Sequence, residues 1–212
     1  MRVRISVVIA LVSASTPAWA GPASFGIKGG ATLATMTQNS AYEALAPLET
    51  RTGWTAGGFV LYPLDKAFSL QGDLFYVSRG ASLGKSQIVS SSGEPLGSFE
   101  TVLERDDLDL GVRARFGLAQ GAKIQPYLLA GPALSIELDE KMTTDIFGSE
   151  PSNLLKSTGV AITFGAGSEI PLGSGHWLLE GNYDLGITDL AEDSVHGTLH
   201  ASTWRFMTGY HF

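Results

Sequence analysis

His200 and Ser202 stand two residues apart just ahead of Trp204-Arg205-Phe206, and in an extended chain residues of equal parity project to one face. An imidazole beside a hydroxyl is the pairing that activates oxygen for attack on an acyl ester, and Glu192 in the preceding segment is the acid available to orient the base. The set is incomplete on its downstream side, because no Asp or Glu follows Ser202. His196 and His200, with Glu192 and Asp193 close by, would share one face of a helix and ligate a metal there; a loop has no such face, and no metal site is expected. Gly165-Ala166-Gly167 lacks the third glycine and the following helix of a phosphate-binding turn, and no cofactor is expected.

The elements that carry these residues are strands. From Leu108 to Leu118 every even position is apolar or Ala and every odd one is charged or Gly, a period of two that helices do not produce. The same period recurs around Phe25 to Leu33, Trp54 to Tyr62, Phe68 to Tyr76, Ile124 to Leu138, Val160 to Ile170, Trp177 to Ile187 and Trp204 to Phe212. Each stretch is near the roughly 9–11 residues with which a tilted strand crosses a bilayer. Short connections rich in Gly, Pro and Asp at Pro63 to Lys66, Ala119 to Lys123 and Pro171 to Gly175 alternate with long polar ones at Thr37 to Arg51, Gly80 to Ser98, Asp139 to Leu155 and Thr188 to Leu199. This pattern predicts an all-β, eight-stranded, antiparallel up-and-down transmembrane β-barrel, with short periplasmic turns, long external loops and both termini periplasmic. Glu43, Glu49, Glu94, Asp145, Glu150, Glu192 and Asp193 fall in the long connections and give them an acidic rim.

Alternation alone does not say which face is outside, so a soluble, lipocalin-like carrier with an oily cavity competes with the membrane reading. Aromatics decide the matter. Phe25, Tyr62, Phe68, Phe116, Trp177, Tyr210 and Phe212 gather at one set of strand ends, and Trp54, Tyr76 and Trp204 gather at the other, which predicts two interfacial girdles. The polar face then points inward and carries Lys28, Asp73, Arg79, Asp107, Asp109, Arg113, Arg115, Glu137, Glu169, Glu180, Asp184 and Arg205. Charges of both signs in so narrow a lumen are expected to pair, because an unpaired buried charge is costly; the network plugs the barrel rather than opening a narrow pore.

Arg2 and Arg4, the apolar Ile5 to Ser13 and Ala18-Trp19-Ala20 have the layout of a secretory signal peptide at 1–20, leaving a barrel domain at 21–212. The chain has no Cys, so disulfides do not stabilise it, and its formal net charge of -7 argues against nucleic acid as a partner.

The terminal run Trp204, Phe206, Tyr210 and Phe212 resembles the signal by which Gram-negative outer-membrane barrels are recognised by their insertion machinery. Phe25-Gly26-Ile27-Lys28-Gly29-Gly30, Pro126-Tyr127-Leu128-Leu129-Ala130-Gly131-Pro132, Asp184-Leu185-Gly186-Ile187-Thr188-Asp189-Leu190 and Thr208-Gly209-Tyr210-His211-Phe212 make the mature chain resemble the PorT-like outer-membrane β-barrel proteins of Bacteroidota and related bacteria. That resemblance implies an outer-membrane barrel without assigned chemistry, acting as a structural or surface-interaction protein through its external loops. Its partners would be outer-membrane lipid and lipopolysaccharide, the insertion machinery and an unknown loop ligand. The pair His200-x-Ser202 resembles that of outer-membrane lipid A deacylases, which implies the alternative, a lipid-modifying enzyme with Glu192 in place of their downstream acid. The two prolines of the fifth strand, Pro126 and Pro132, run against the rule that proline avoids interior strands.

Overall fold

The structure, a computed structural model, describes residues 22–38, 49–89, 95–119, 121–144, 148–151, 157–188 and 199–212. Nine strands lie among them: β1 (Ser24–Gln38), β2 (Glu49–Pro63), β3 (Phe68–Val89), β4 (Pro95–Gly117), β5 (Gln125–Thr144), β6 (Gly148–Pro151), β7 (Thr158–Leu172), β8 (Gly175–Gly186) and β9 (Leu199–His211). Pairing runs β4-β3-β2-β1-β9-β8-β7-β5, and a β4–β5 ladder joins the two ends. The result is a closed barrel of eight antiparallel strands, as the alternation predicts, with β6 paired only to the far end of β5 and outside the wall. Closure leaves no unpaired strand edge in the wall, the condition for placing a sheet in lipid.

Side-chain parity places the oily face outward. Along β4, Asp109, Gly111, Arg113 and Arg115 are buried while Leu110, Val112, Ala114 and Phe116 are exposed, and the same inversion holds around the ring. Both girdles form. At the short-turn end Phe25 stacks on Phe212 with centroids 5.1 Å apart, and Phe68 meets Phe116 at 5.1 Å; at the long-loop end Trp54 stacks on Tyr76 at 4.7 Å and Tyr183 meets Trp204 at 4.7 Å.

The tight turns lie where their residues predict. Leu172 pairs with Gly175, so two residues make the β7–β8 turn, and Gly173 there has φ 65°, a conformation that side chains with a Cβ rarely adopt. The long connections differ from expectation. Beyond the Tyr76–Leu108 pair the β3–β4 ladder continues to Val89 and Pro95, interrupted by shifts at Ser82/Lys85 and Ile88/Val89, so most of the expected loop from Gly80 to Ser98 is a ribbon. Likewise β5 extends to Thr144 and is capped by β6, within the expected loop from Asp139 to Leu155. Beyond Ser82 and Thr101 the two strands pair only with each other, and outside the barrel wall nothing requires the period-two pattern by which strands are read from sequence.

The prolines of β5 acquire a physical account. Pro126 sits at the second position of the strand, where its carbonyl accepts from Leu118 N at 2.8 Å. Pro132 faces lipid, and the β4–β5 ladder passes from Gly111–Ala133 to Ala114–Ala130 without pairing Val112 and Arg113, so the missing N–H falls in a gap that leaves the register unchanged. Gly131 allows the close approach at this gap, since a Cβ there would strike the Val112 carbonyl and lie 2.7 Å from Arg113 Cα.

Candidate functional site

Within a barrel this narrow the lumen is the core, and the twelve charges expected to line it all project inward. Near the short-turn end Arg115 Nη2 lies 2.9 Å from Glu169 Oε1, with its guanidinium 3.6 Å above the Tyr127 ring. Next, Lys28 Nζ donates to Glu180 Oε2 at 2.7 Å, an oxygen that also accepts from Tyr127 Oη at 2.7 Å, while Asn182 Nδ2 donates to Glu180 Oε1 at 2.9 Å. Asp73 is held between Gln71 Nε2 at 2.9 Å and Arg113 Nη1 at 3.3 Å. Toward the long-loop end Arg205 bridges Asp184 at 2.7 Å and Asp109 at 3.5 Å. Arg79 joins Asp109 and Asp107, and Arg105 donates to Asp107 Oδ1 at 2.7 Å. The pairs connect β1 to β8, β3 to β4 and β4 to β9, so they tie strands across the lumen as well as along it.

Hydrophobic side chains also occupy the lumen, which alternation read as a charged face does not reveal. Phe59, Leu61 and Leu178 form one buried cluster and Phe75, Val77 and Met207 another. These apolar groups sit against the charges: Lys28 lies 4.4 Å from the Phe59 ring centroid and Arg205 5.8 Å from that of Phe75. The signal was present in inward parity, since Phe59 and Phe75 share the phase of Gly57 and Asp73, but size and hydrophobicity assign such residues to lipid by default. Beside Arg79, Asp107 and Asp184 lies a cavity of about 50 Å³, room for one or two waters. Planar bilayers containing the purified, folded protein should therefore show no steady conductance, because ion pairs and apolar clusters fill the path an ion would need. Reproducible channels from most inserted molecules would refute the plug.

The ends of the barrel hold the other candidates. At the long-loop end Arg51 pairs with Glu104 and Lys141 with Asp139, the latter at 2.6 Å with both side chains about half exposed. There Asp139 raises the Lys141 ammonium above the usual lysine range by accepting its hydrogen bond. Ser202 lies in β9 opposite Thr35 of β1 and Leu185 of β8, half-buried with the outward parity expected of it. The backbone of His200 pairs with Thr37, and Glu192 and His196 lie outside the described residues. No carboxylate stands at the register neighbours of Ser202.

At the short-turn end the structure gathers residues that sequence spacing does not bring together. His211 Nδ1 and Glu169 Oε1 lie 3.0 Å apart, His211 Nε2 is 2.7 Å from Ser24 Oγ, and the His176 and His211 rings are 5.9 Å apart. The available signal was that His176 and His211 take inward parity at the turn ends of strands joined by pairing; finding it required the β8–β9 register. The terminal aromatics close the seam beside them. Phe212 N donates to Phe25 O at 2.8 Å, and Tyr210 Oη donates to Leu172 O at 2.7 Å, while Trp204 and Phe206 face outward.

Several solved structures are similar to this chain. The crystal structure of Neisserial surface protein A is similar at a TM-score of 0.51 and 13% identity, covering 90% of this chain and 98% of that one. Ail of Yersinia pestis, solved with the heparin analogue sucrose octasulfate, is similar at a TM-score of 0.44 and 15% identity over 90% and 99% of the two chains. OprG of Pseudomonas aeruginosa is similar at 0.48 and 13% over 89% and 95%. No curated protein matches the sequence. The family model described as outer membrane protein beta-barrel domain matches residues 14–192, most of the chain. A closed barrel with its oily face outward, its charges inside and that family's sequence pattern along most of its length belongs to the outer membrane protein β-barrel domain family, and its place is the outer membrane.

Proposed function

We propose that this protein is a sealed outer-membrane scaffold whose work is done by what it displays at the long-loop end, with both termini in the periplasm and the signal peptide at 1–20 removed. The observation that carries this reading is the filled lumen: with ion pairs and apolar clusters across the interior, transport through the barrel is not what its residues are arranged for. What remains is the ends, and the β3–β4 ribbon makes the long-loop end the larger of the two. The finer resemblance to PorT-like barrels and the recognition of Tyr210 and Phe212 by the insertion machinery belong to the same proposal, as do lipopolysaccharide neighbours along the acidic rim. No enzymatic role is assigned, because a hydroxyl needs a base and an oriented acid, and Ser202 has apolar and hydroxylic register neighbours.

An epitope inserted between Val89 and Pro95, which the β3–β4 ladder pairs, tests the orientation. Intact cells should bind the antibody without permeabilisation; labelling only after the outer membrane is opened would reverse the topology. The same preparation, purified and supplied with lipopolysaccharide micelles, should release no fatty acid between about pH 5 and 9, the range over which a histidine base titrates. Release by the parent protein that disappears in Ser202→Ala would restore the enzyme reading.

A further inference from the structure

Glu169, His176 and His211 each offer a ligand atom, and these atoms lie within 4.8 Å of one another at the short-turn mouth of the lumen. We propose that they form a binding site for a divalent transition-metal ion of the zinc class. The donor set is two imidazoles and one carboxylate, which suits zinc, copper or nickel and not the all-oxygen shells of calcium or magnesium.

Three features of the site go beyond proximity. First, the ligands come from the facing ends of three consecutive wall strands, fixed by the pairs Pro171–His176 and His176–His211, so the ladder itself holds their spacing. Second, His211 is oriented from its far side: Ser24 Oγ lies 2.7 Å from Nε2, leaving Nδ1 aimed at Glu169 Oε1 3.0 Å away. Ligands at about 2.0–2.1 Å from a tetrahedral ion stand roughly 3.3 Å apart, so this pair already has nearly the required separation. The contact between Nδ1 and Oε1 is one that a proton fills in the free protein and that a divalent cation fills by displacing it. Third, the carboxylate is held in place by Arg115, whose Nη2 lies 2.9 Å from the same Oε1, and a charged hydrogen-bond partner of this kind fixes a ligand's direction. Arg115 also adds positive charge close to the ion, so the site is one of moderate affinity.

The third ligand makes the site accessible. Glu169 and His211 are buried, but His176 is half-buried, and its side chain has no hydrogen bond among the described residues. Rotation of this ring toward the pair closes the remaining distance, and its exposed side leaves a fourth position for water. Bound metal would clamp β7, β8 and β9 together at the short-turn end of the wall. This inference concerns the barrel end itself and does not depend on which compartment that end faces.

The test uses the full-length mature chain without a histidine tag, folded in detergent micelles and stripped with a chelator. Titration with Co²⁺ should give the visible absorption of a tetrahedral nitrogen and oxygen site at one equivalent, and Zn²⁺ should abolish the band by displacement; Ca²⁺ and Mg²⁺ should not. His176→Ala, whose fold is checked by unchanged heat-modifiable migration, should weaken binding at least tenfold, and Glu169→Gln should do the same. The chain contains four histidines, so His196→Ala/His200→Ala is the control and should leave the titration unchanged. Absence of a Co²⁺ band at millimolar metal, undiminished binding in His176→Ala, or loss of binding only in His196→Ala/His200→Ala would each overturn the assignment.

Discussion

Replacing Arg205 with Met is expected to destabilise the folded barrel by about 3–5 kcal/mol, the usual result of removing one member of a buried ion pair. Arg205 is fully buried and stands between Asp184, which also accepts from Thr163 Oγ1 at 2.7 Å, and Asp109, which also pairs with Arg79. Met reproduces much of the volume but leaves two carboxylates short of a cation in a site from which water is largely excluded. The effect belongs to the unpaired anions, so Arg205→Met combined with Asp184→Asn should recover a large part of the loss. Equilibrium unfolding in urea from lipid vesicles, followed by the change in gel mobility between folded and unfolded forms, measures both variants. A loss below about 1 kcal/mol in the single variant would mean that the ion pairs are incidental to the plug.

Val112→Arg is expected to cost about 2–4 kcal/mol in the same assay, for the opposite reason. Val112 points outward and lies midway between Phe116 in one girdle and Leu108, paired with Tyr76, in the other. The eight residue steps from Leu108 to Phe116 span roughly 26 Å of strand, so Val112 falls near the bilayer midplane, where an Arg has farthest to snorkel. Leu118→Arg, beyond Phe116 and still exposed, provides the depth control and should cost less than about 1 kcal/mol. Equal losses at the two depths would show that the outward face is not embedded in lipid.

The barrel wall was legible in the sequence because lipid enforces it residue by residue. Along β4 each outward position that is apolar and each inward one that is charged repeats the same decision, and a slip by one residue would turn Arg113 and Arg115 into hydrocarbon. Both aromatic girdles were readable for the same reason. Three things were not. The β3–β4 ribbon has no lipid to pattern it, so Gly80 to Ser98 reads as loop. Phe59 and Phe75 share the inward parity of Gly57 and Asp73, but an alternation of charged and apolar positions does not say that apolar side chains fill part of the lumen. The grouping of Glu169, His176 and His211 depends on the pairing of three strands, and only parity, not pairing, is written locally. Conversely, the charges foreseen in the lumen gather there, but which partner each takes was set by register: Lys28 meets Glu180 from the far side of the chain, 152 residues away.

The β1–β9 ladder, in which Gly26 pairs with His211, has a kinetic meaning. Most other neighbours in the wall are hairpin partners or are joined by one intervening connection, so they bring together segments close in sequence and can associate early. Bringing β1 to β9 instead demands loop closure over nearly the whole chain, and topologies dominated by such distant contacts fold slowly. Until that last seam zips, the growing sheet has two raw edges that compete for any other strand, its own kind included. The nascent molecule is therefore most prone to aggregation when it is almost finished, and a catalyst that shields the open edges until β9 meets β1 would accelerate the step the topology makes slowest.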